Sequence, residues 1–497
     1  MSPTLPPAIV WFRQDLRLAD NPALAHAVES GRPVIPLFVL DDLTPGEWKP
    51  GGASRWWLHH SLAALRDGLA RLGAPLVLRR GPADVVVGKL AAETGAALVT
   101  WNRNYDPASI ERDSRLKAEL QKSSVEAVSC NGNLLNEPWT VLAGAGNPYK
   151  VFTPYYKAVL ARTKAGEPRP APDRLAAPAA SPESDTLEEW GLLPTKPDWA
   201  GGMRAFWKPG EPGALERLER FLSEACEGYA QGRNIPGMDG TSRLSPHLHF
   251  GELSPRQVWH AAMGLLARDK RPSCRENVES FLREIIWREF SHGLLYHFPH
   301  LPDRPLNPRF EDFPWQPDPK LMAAWKRGRT GYPIVDAGMR QLWETGWMHN
   351  RVRMIVGSLL VKHLLQPWQA GERWFWDTLV DADLANNSAG WQWIAGCGAD
   401  AAPYFRVFNP VLQGEKFDPD GRYVRRWVPE LARLPDKYVH APWTAPPMVL
   451  SGAGVVLGKT YPAPVVEHGK GRERALAAFA QVKAGAAEGD IPAPTDA

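Results

Sequence analysis

The chain has 497 residues and is mildly basic, with a formal net charge of +3 and a pI of about 8.6. Because a typical domain holds roughly 100 to 200 residues, this length predicts two domains with separate cores. The positive charge is not collected into long Lys/Arg runs, which excludes a basic nucleic-acid-binding tail. Any nucleic-acid site must therefore be a local patch.

The cysteines and the lack of long apolar runs set the expected compartment. The four cysteines, at positions 130, 226, 274 and 397, form no CxxC pair, which argues against a zinc site or a disulfide framework. No apolar run approaches the roughly 20 residues that span a bilayer, and the opening MSPTLPPAIVWF is unlike a signal peptide. We therefore expect a soluble, cytoplasmic protein that contacts no membrane.

Residues 1–135 are predicted to form an α/β domain. Short β-rich runs occur at 9–12, 34–40, 75–78, 97–101 and 125–129, bounded by Gly, Pro, Asn or Asp. Helical patterns lie between them at 21–29, 54–72, 82–93 and 107–121. This alternation predicts a doubly wound parallel sheet. No GxGxxG follows the first strand, so we expect no dinucleotide on this sheet.

Beyond residue 135 the composition changes twice. Residues 136–209 contain Pro, Ala, Gly and Ser clusters and predict a connector, partly ordered where YKVFTPYYKAVL supplies aromatic anchors. Residues 210–482 predict a helical domain, with helices at 215–229, 275–296, 338–344, 351–365 and 371–378. Residues 483–497 are expected to be a flexible tail.

Two helical segments combine polar groups with aromatic or sulfur-containing side chains. In FLREIIWREFS, helical spacing places Glu284, Trp287 and Arg288 on the face opposite an apolar core stripe, as either a surface ion-pair cluster or a cavity wall. In HNRVRMIVG, Asn350 and Met354 lie one turn apart, which suits a flat heteroaromatic ligand. Taken alone, this pair is better explained by Asn350 as a helix cap and Met354 as a core filler, and its position after GWMH beside two arginines strengthens the ligand interpretation.

Two further segments carry polar groups without a clear partner. TSRLSPHLHFG places hydroxyls before a helix that starts near Ser245, where a phosphate or plain N-capping are the two explanations. DADLANNSAGWQW contains Asp381 and Asp383, which suit metal ligands, acid/base partners or acceptors for a ribose or flavin edge. No histidine lies nearby at ligand spacing, so a metal ranks last and none is expected.

Taken together, the motifs resemble the photolyase/cryptochrome family over nearly the whole chain. They run in order from IVWFRQDLRLADNP through GRNIPGMDGTSRLSPHLHFGELS, IIWREF, GRTGYPIVDAGMRQL, GWMHNRVRM and DADLANNSAGWQW to DAAPYFRVFNPVLQGEKFD. The resemblance implies an N-terminal α/β antenna domain, a long connector and a C-terminal helical FAD-binding domain. It is strongest to photolyases acting on cyclobutane pyrimidine dimers, and SPHLHFGELSP and SRWWLHHSL look closest to class III.

The resemblance also implies a cofactor site. FAD would be bound by Tyr229, Thr241, Ser242, Arg243, Leu244, Ser245, Arg353, Asp381, Asp383 and Asn387. Asn387 matches the position that faces flavin N5, where an amide hydrogen-bonds without adding a negative charge. An aspartate there would favour a protonated, radical-forming flavin, so Asn387 indicates repair rather than signalling.

The implied reaction is light-driven repair, in which excited reduced FAD passes an electron to a dimer flipped out of DNA. Photolyases are known to turn their target base out of the duplex into the active site. Substrate and DNA contacts would come from Arg233, Glu284, Trp287, Arg288, Asn350, Arg351, Met354, Trp393 and Arg406. Glu284 would also stabilise the dimer radical anion. The implied partner is DNA containing cyclobutane pyrimidine dimers, bound by a monomer that joins the nucleoid at damage.

Three of the 22 tryptophans match an electron-transfer chain that reduces resting flavin, namely Trp391, Trp368 and Trp315. A second, antenna chromophore is also implied. Glu111 matches a folate-binding acid, which favours methenyltetrahydrofolate over a deazaflavin or no antenna. The alternative function is a blue-light cryptochrome without repair activity.

Overall fold

The computed structural model describes residues 5–163, 165–400 and 405–487, with side chains as far as residue 483. Within these ranges the chain forms two compact units. The first unit takes residues up to 230 together with 240–299 and 376–386. The second unit takes 231–239, 300–375 and the residues from 387 onward.

The first unit contains a five-stranded parallel sheet, which confirms the predicted α/β fold. Its strands are β1 (Ala8–Phe12), β2 (Val34–Leu40), β3 (Val77–Arg80), β4 (Leu98–Asn102) and β5 (Glu126–Cys130), in the order β3-β2-β1-β4-β5. All residues of β1, β2 and β4 are buried, as expected where helices cover both faces of a parallel sheet. Each predicted strand lies within two residues of an observed one.

The helices between these strands also follow the prediction closely. They are α1 (Pro22–Glu29), α2 (Gly52–Leu72), α3 (Ala83–Thr94) and α4 (Pro107–Lys122). Asn21 and Asp106 cap the first and last of them, each accepting a backbone N–H with its side chain. Gly73 ends α2 in the left-handed region, with φ of +97°, a conformation that glycine adopts without strain. The capping residues and the terminal glycine in the sequence therefore predicted where these helices begin and end.

The remaining elements are mostly helical. They are α5 (Phe152–Arg162), α6 (Gly201–Phe206), α7 (Glu211–Arg220), α8 (Tyr229–Gly232), α9 (Ser245–His249), α10 (Pro255–Arg268), α11 (Pro272–His297), α12 (Pro319–Lys326), α13 (Pro333–Thr345), α14 (Asn350–Ser358), α15 (Trp368–Thr378), α16 (Leu384–Ala395), α17 (Pro410–Phe417), α18 (Arg422–Trp427), α19 (Asp436–Val439), α20 (Pro447–Gly452) and α21 (His468–Ala487). The predicted helix at 351–365 is α14 followed by a π-helical turn at Leu359–His363. No helix in the described ranges is both long and apolar enough to cross a membrane.

The two compact units do not follow the predicted domain boundaries at 135/136 and 209/210. The connector and residues 210–230 and 240–299 cluster with the sheet, and side chains fasten parts of them to it. Glu211, for example, accepts the backbone N–H groups of Leu18 and Ala19 at 2.8 and 3.0 Å. The predicted tail from 483 begins as the last turn of α21, and its residues 488–497 lie outside the described ranges.

Glu289 of α11 fastens the start of the connector to the helix. Its buried carboxyl group accepts the backbone N–H groups of Leu135 and Asn136 and the side-chain amide of Asn136, at 2.7 to 3.1 Å. Burial raises the pKa of Glu289 to about 7, although these hydrogen bonds oppose that shift. The folded protein therefore keeps a proton on this group in a pH range where an exposed glutamate has lost it.

This raised pKa predicts a pH-dependent stability. The folded pKa exceeds the ordinary value of 4.5, so the stabilising contribution is complete below pH 4.5 and is lost as pH rises through 7. We expect up to about 3 kcal/mol of the free energy of unfolding to disappear over this window. Glu289→Gln should flatten the dependence, as measured by urea unfolding at pH 5 and pH 8. An equally steep dependence in both proteins would assign it to other groups.

Candidate functional site

A cavity of about 200 Å³ lies in the first unit at the carboxyl ends of its strands. Arg13 follows β1, Asp41 follows β2 and Tyr105 follows β4, and all three line the cavity. In a doubly wound sheet, ligands bind at the crevice where the strand order reverses. Here that reversal lies between β1 and β4, so the cavity is positioned as a ligand site.

Two arginines line this cavity together with the carboxylates of Asp41, Asp106 and Asp383. Arg13 donates to both oxygens of Asp113 at 2.9 and 2.8 Å, and Arg112 donates to the same carboxylate at 2.9 and 3.1 Å. Both guanidinium groups lie over the ring of Trp11, at 4.6 and 4.8 Å from its centroid. Two cations share the Asp113 carboxylate, so the two guanidinium groups are the part of the cavity that could pair with an anionic group of a ligand.

Asp383 reaches the same cavity and pairs with two histidines. One carboxylate oxygen lies 3.5 Å from His249 Nδ1 and 3.5 Å from His292 Nε2, and the other accepts both N–H groups of Asn386. Burial alone raises the pKa of Asp383, but the nearby His292, His249 and Arg288 outweigh it. The pKa therefore lies far below its ordinary value, and the group stays ionised.

Asp381, two residues earlier, faces Ser245 instead. Its carboxylate accepts the Ser245 hydroxyl at 2.6 Å. Helix α9 begins at Ser245 as predicted, but Leu244 occupies the N-cap and no side chain caps the helix. Plain N-capping therefore does not explain this serine. Arg243, at φ of +51°, places its guanidinium over Phe206 at 4.7 Å.

The other predicted FAD residues of the first unit lie next to this segment in sequence. Thr241 and Ser242 are half-buried. Tyr229 is buried, and the edge of its ring packs against Phe221 and Phe281 at 5.4 and 5.7 Å. The first unit thus contributes hydroxyls, carboxylates and one arginine to the predicted cofactor set.

On α11 the predicted core stripe is confirmed, because Leu282, Ile286 and Phe290 are all buried. Glu284 and Trp287 are half-buried on the other side of the helix. Arg288 does not lie on an open face for DNA. Its guanidinium donates to the backbone carbonyls of Asn133 and Leu248, at 2.7 and 3.4 Å. We therefore correct its predicted role in DNA binding to that of fastening neighbouring segments to α11.

In the second unit, α14 carries the predicted Asn350, Arg353 and Met354. Asn350 is the exposed first residue of the helix, and the cap is His349, whose side chain accepts the Arg351 backbone N–H. Asn350 therefore is not the cap. Met354 is half-buried and lies 3.6 Å from an Arg351 nitrogen, and Arg353 Nε donates to the Met348 carbonyl at 2.8 Å.

Arg351 is fixed in place near a second arginine. It donates to Asn234 Oδ1 at 2.6 Å and lies over the Phe417 ring at 4.5 Å. Burial, and secondly repulsion from Arg233, lower the pKa of the Arg351 guanidinium. The guanidinium remains charged at neutral pH, and two clustered arginines suit a phosphate. Arg406 is exposed.

Asn387 is oriented by the backbone of α15. Its Nδ2 donates to the Glu372 carbonyl at 3.0 Å, which leaves Oδ1 of the amide as the acceptor. The Glu372 side chain accepts the Ser388 hydroxyl at 2.5 Å, and burial raises the pKa of this carboxyl group well above its ordinary value. Asn387 therefore lies close to an acid whose ionisation is disfavoured by burial.

The three predicted electron-transfer tryptophans differ in burial. Trp391 is 1% exposed and Trp368 2% exposed, whereas Trp315 is half-buried. Gln366, two residues before Trp368, donates to the Gln316 carbonyl at 2.7 Å and so holds the segment that carries Trp315. Trp391 and Trp368 are thus both buried and Trp315 is nearer the surface, and the electron-transfer chain stays a prediction.

Gly371 of α15 leaves room for the ring of Trp391, which packs against it. A Cβ atom at this position would overlap the Trp391 ring and the Leu360 side chain. Gly371→Ala should therefore lower the free energy of unfolding by about 1 to 3 kcal/mol, despite the better helix propensity of alanine. Photoreduction of FAD should also slow. The control is Gly390→Ala on α16, where the added Cβ meets open space, and urea unfolding compares the two. Equal stability of both variants would contradict this packing argument.

The surroundings of Glu111 and Asp383 differ from what the sequence predicted. Glu111 is exposed and accepts Arg115 one turn along α4 at 2.7 Å, whereas Asp106, Ser109 and Arg112 of this region line the cavity. His249 and His292 were missed as neighbours of Asp383, because no local spacing brings together positions so distant in sequence. Within the described residues, no group of three or more His, Cys, Asp or Glu could hold a metal ion.

Comparison with known proteins adds an independent finding. Residues 8–173 match the DNA photolyase family, and residues 281–481 match the FAD binding domain of DNA photolyase. A deoxyribodipyrimidine photo-lyase of Agrobacterium fabrum is 53% identical over 97% of this chain and 99% of the relative. Cryptochrome-2 of Arabidopsis thaliana is 42% identical over 98% of this chain and 81% of the relative.

Solved structures agree with these matches. A bacterial class III photolyase from Agrobacterium tumefaciens has a TM-score of 0.94 at 53% identity, covering 97% of this chain and 99% of the other. An archaeal photolyase from Sulfolobus tokodaii, solved with two FAD molecules, has a TM-score of 0.79 at 31% identity, covering 95% and 99%. The likeness therefore extends over nearly the whole chain.

Proposed function

Because the chain belongs to the photolyase/cryptochrome family, we propose that it repairs cyclobutane pyrimidine dimers in DNA with light. The observation that supports repair most strongly is the Asn387 amide, held by the Glu372 carbonyl with Oδ1 left as an acceptor. This group offers a hydrogen bond to the cofactor without a negative charge. The greater identity to a photolyase than to a cryptochrome supports the same choice.

The donor set of the chain fits FAD. In the first unit, the segment Thr241 to Ser245 offers hydroxyls and an arginine for the phosphates. Asp381, and the ionised Asp383, offer acceptors for the hydroxyl or ring N–H groups of the cofactor. In the second unit, Arg353 and Asn387 offer a cation and an amide. When bound, reduced FAD supplies the electron that light transfers to the dimer and that returns after the two cyclobutane bonds break.

The chain's own residues hold the substrate. In the first unit, Trp287 offers an indole face and Glu284 a hydrogen bond to the pyrimidine edge. In the second unit, Trp393 is held by a hydrogen bond from its Nε1 to the Asp400 carbonyl at 3.1 Å, and Asn350 and Met354 provide polar and polarizable contacts. Apolar and aromatic surface favours a base that has left the stack.

The DNA backbone is contacted by arginines of the second unit, Arg233, Arg351 and Arg406. Their contribution is independent of sequence, so it strengthens binding to damaged and undamaged DNA alike and weakens with salt. We propose that the protein binds as a monomer in the cytoplasm, where its cysteines stay reduced, and reaches the nucleoid through damaged DNA. All four cysteines are free.

We also propose that the cavity of the first unit binds a second chromophore. Its two arginines and the ring of Trp11 suit a planar molecule with an anionic group. Methenyltetrahydrofolate has both features, and the second FAD of the Sulfolobus tokodaii structure is the competing precedent. Chromatography of the chromophores released from the purified protein distinguishes them.

The alternative function is a blue-light cryptochrome without repair activity, supported by the 42% identity to Cryptochrome-2. The test is to add FAD-loaded protein to UV-irradiated plasmid and count the remaining dimers with a dimer-specific nuclease. We expect dimers to disappear under blue light and to persist in the dark. Persistence in both would favour the photoreceptor.

A further inference from the structure

Trp287 is stacked on a residue from the connector. The ring of Phe152, the first residue of α5, lies parallel to the indole at an interplanar angle of 6°, with 3.6 Å between centroids. Phe152 is 5% exposed, whereas Trp287 is half-buried. One face of the indole is therefore covered from inside the first unit.

A second ring, that of Phe290, makes an edge-to-face contact with the indole. Phe290, one turn further along α11, lies 5.8 Å from Trp287 at 76° and 5.8 Å from Phe152 at 71°. Such edge-to-face and stacked contacts are favourable arrangements of aromatic quadrupoles. No other ring in the described part of the chain contacts Trp287. One face and one edge are thus occupied, and no aromatic ring among the described residues covers the opposite face.

We propose that Phe152 is a positioning residue that holds Trp287 so that one indole face is presented to the flipped dimer. This inference rests on the proposed repair function. The connector would then be part of the substrate-recognition apparatus, since it supplies the ring behind the recognition surface. A side chain that moves freely pays an entropy cost when it stacks on a ligand, and bracing removes that cost before binding.

A positioning role for Phe152 affects binding of damaged DNA but not the repair reaction itself. Phe152 stacks on the indole and is not among the residues predicted to bind FAD or the dimer. Its loss should weaken binding of damaged DNA and leave untouched both the repair rate at saturating DNA and the affinity for undamaged DNA. A general defect in folding would change all of these together.

The experiment measures dark dissociation constants of FAD-loaded protein for an oligonucleotide with one thymine dimer and for its undamaged counterpart. The variants are Phe152→Ala, Phe152→Leu and Phe152→Tyr, and the control is Leu160→Ala, on the same helix and 46% exposed. We expect Phe152→Ala and Phe152→Leu to lose roughly three- to tenfold in dimer affinity. Phe152→Tyr, which keeps the stack, and Leu160→Ala should bind like the wild type.

Trp287→Ala distinguishes the positioning role of Phe152 from the proposed contact of Trp287 with the substrate. If it loses dimer preference while Phe152→Ala and Phe152→Leu keep it, the positioning role is overturned and the repair function stands. If Trp287→Ala also keeps the preference, Trp287 is not a substrate contact and both assignments fail. Equal losses for damaged and undamaged DNA, or a loss in Phe152→Tyr equal to that in Phe152→Ala, would also overturn the positioning role.

Discussion

Trp391→Phe is expected to reduce photoreduction of oxidised FAD to the level of a sample kept in the dark. Trp391 is buried between Phe375 and Trp325, at centroid distances of 5.0 and 6.2 Å. Phenylalanine fills most of this space but is far harder to oxidise than an indole. Electrons from an external donor should then fail to reach the flavin, while protein reduced chemically should still repair dimers.

The control for this prediction is Trp325→Phe. Trp325 is equally buried, but its Nε1 donates to the Val356 carbonyl at 2.9 Å, and it is not in the predicted chain. Flavin absorbance under blue light with a reductant measures both variants. Normal photoreduction in Trp391→Phe would place the electron route elsewhere, and a loss of repair after chemical reduction would show that Trp391 has another role.

Glu284→Ala is expected to lower the repair yield per absorbed photon severalfold, because loss of a hydrogen bond to a charged species, worth roughly 1.5 to 3 kcal/mol, slows bond cleavage relative to unproductive return of the electron. Glu284 is half-buried and lies one turn from Trp287 on α11, and we propose that it hydrogen-bonds a polar edge of the substrate. FAD content should stay unchanged, since no predicted FAD residue lies on this helix. The measurement is the number of dimers repaired per photon absorbed by the reduced protein.

Two variants of the same helix sharpen this prediction. Glu284→Gln keeps a hydrogen-bonding group and should retain more yield than Glu284→Ala. Glu279→Ala removes an exposed glutamate that lies 3.5 Å from Arg275, an interaction worth little at a surface. It should leave the yield unchanged. If Glu284→Ala repairs as efficiently as Glu279→Ala, the acid does not act on the substrate.

The sheet was predictable because its signals are local. Buried apolar runs, Asn21 and Asp106 at helix starts and Gly73 at a helix end each act within a few residues. The third strand was placed two residues early, since the run Pro75 to Leu78 is more apolar than Val77–Arg80, where pairing with β2 decides the bounds. Hydrogen bonding across the sheet is invisible to a local pattern.

The site was predictable in its residue types and less so in its contacts. The resemblance in motifs selected Asp383 and Arg288. It did not predict the two histidines beside Asp383 or the backbone carbonyls that accept hydrogen bonds from Arg288. The aromatic connector was read as an anchor, and the stack of Phe152 on Trp287 joins positions 135 residues apart. Contacts at such separation depend on packing, which one sequence without its fold does not encode locally.

The protein is proposed to convert absorbed light into bond cleavage in a pyrimidine dimer. The direct measurement uses FAD-loaded, chemically reduced protein and an oligonucleotide with one defined thymine dimer, followed by chromatography of the products under blue light and in the dark. We predict restoration of two intact thymines in the light and none in the dark. Light-exposed protein that binds FAD yet leaves the dimer intact would contradict the account.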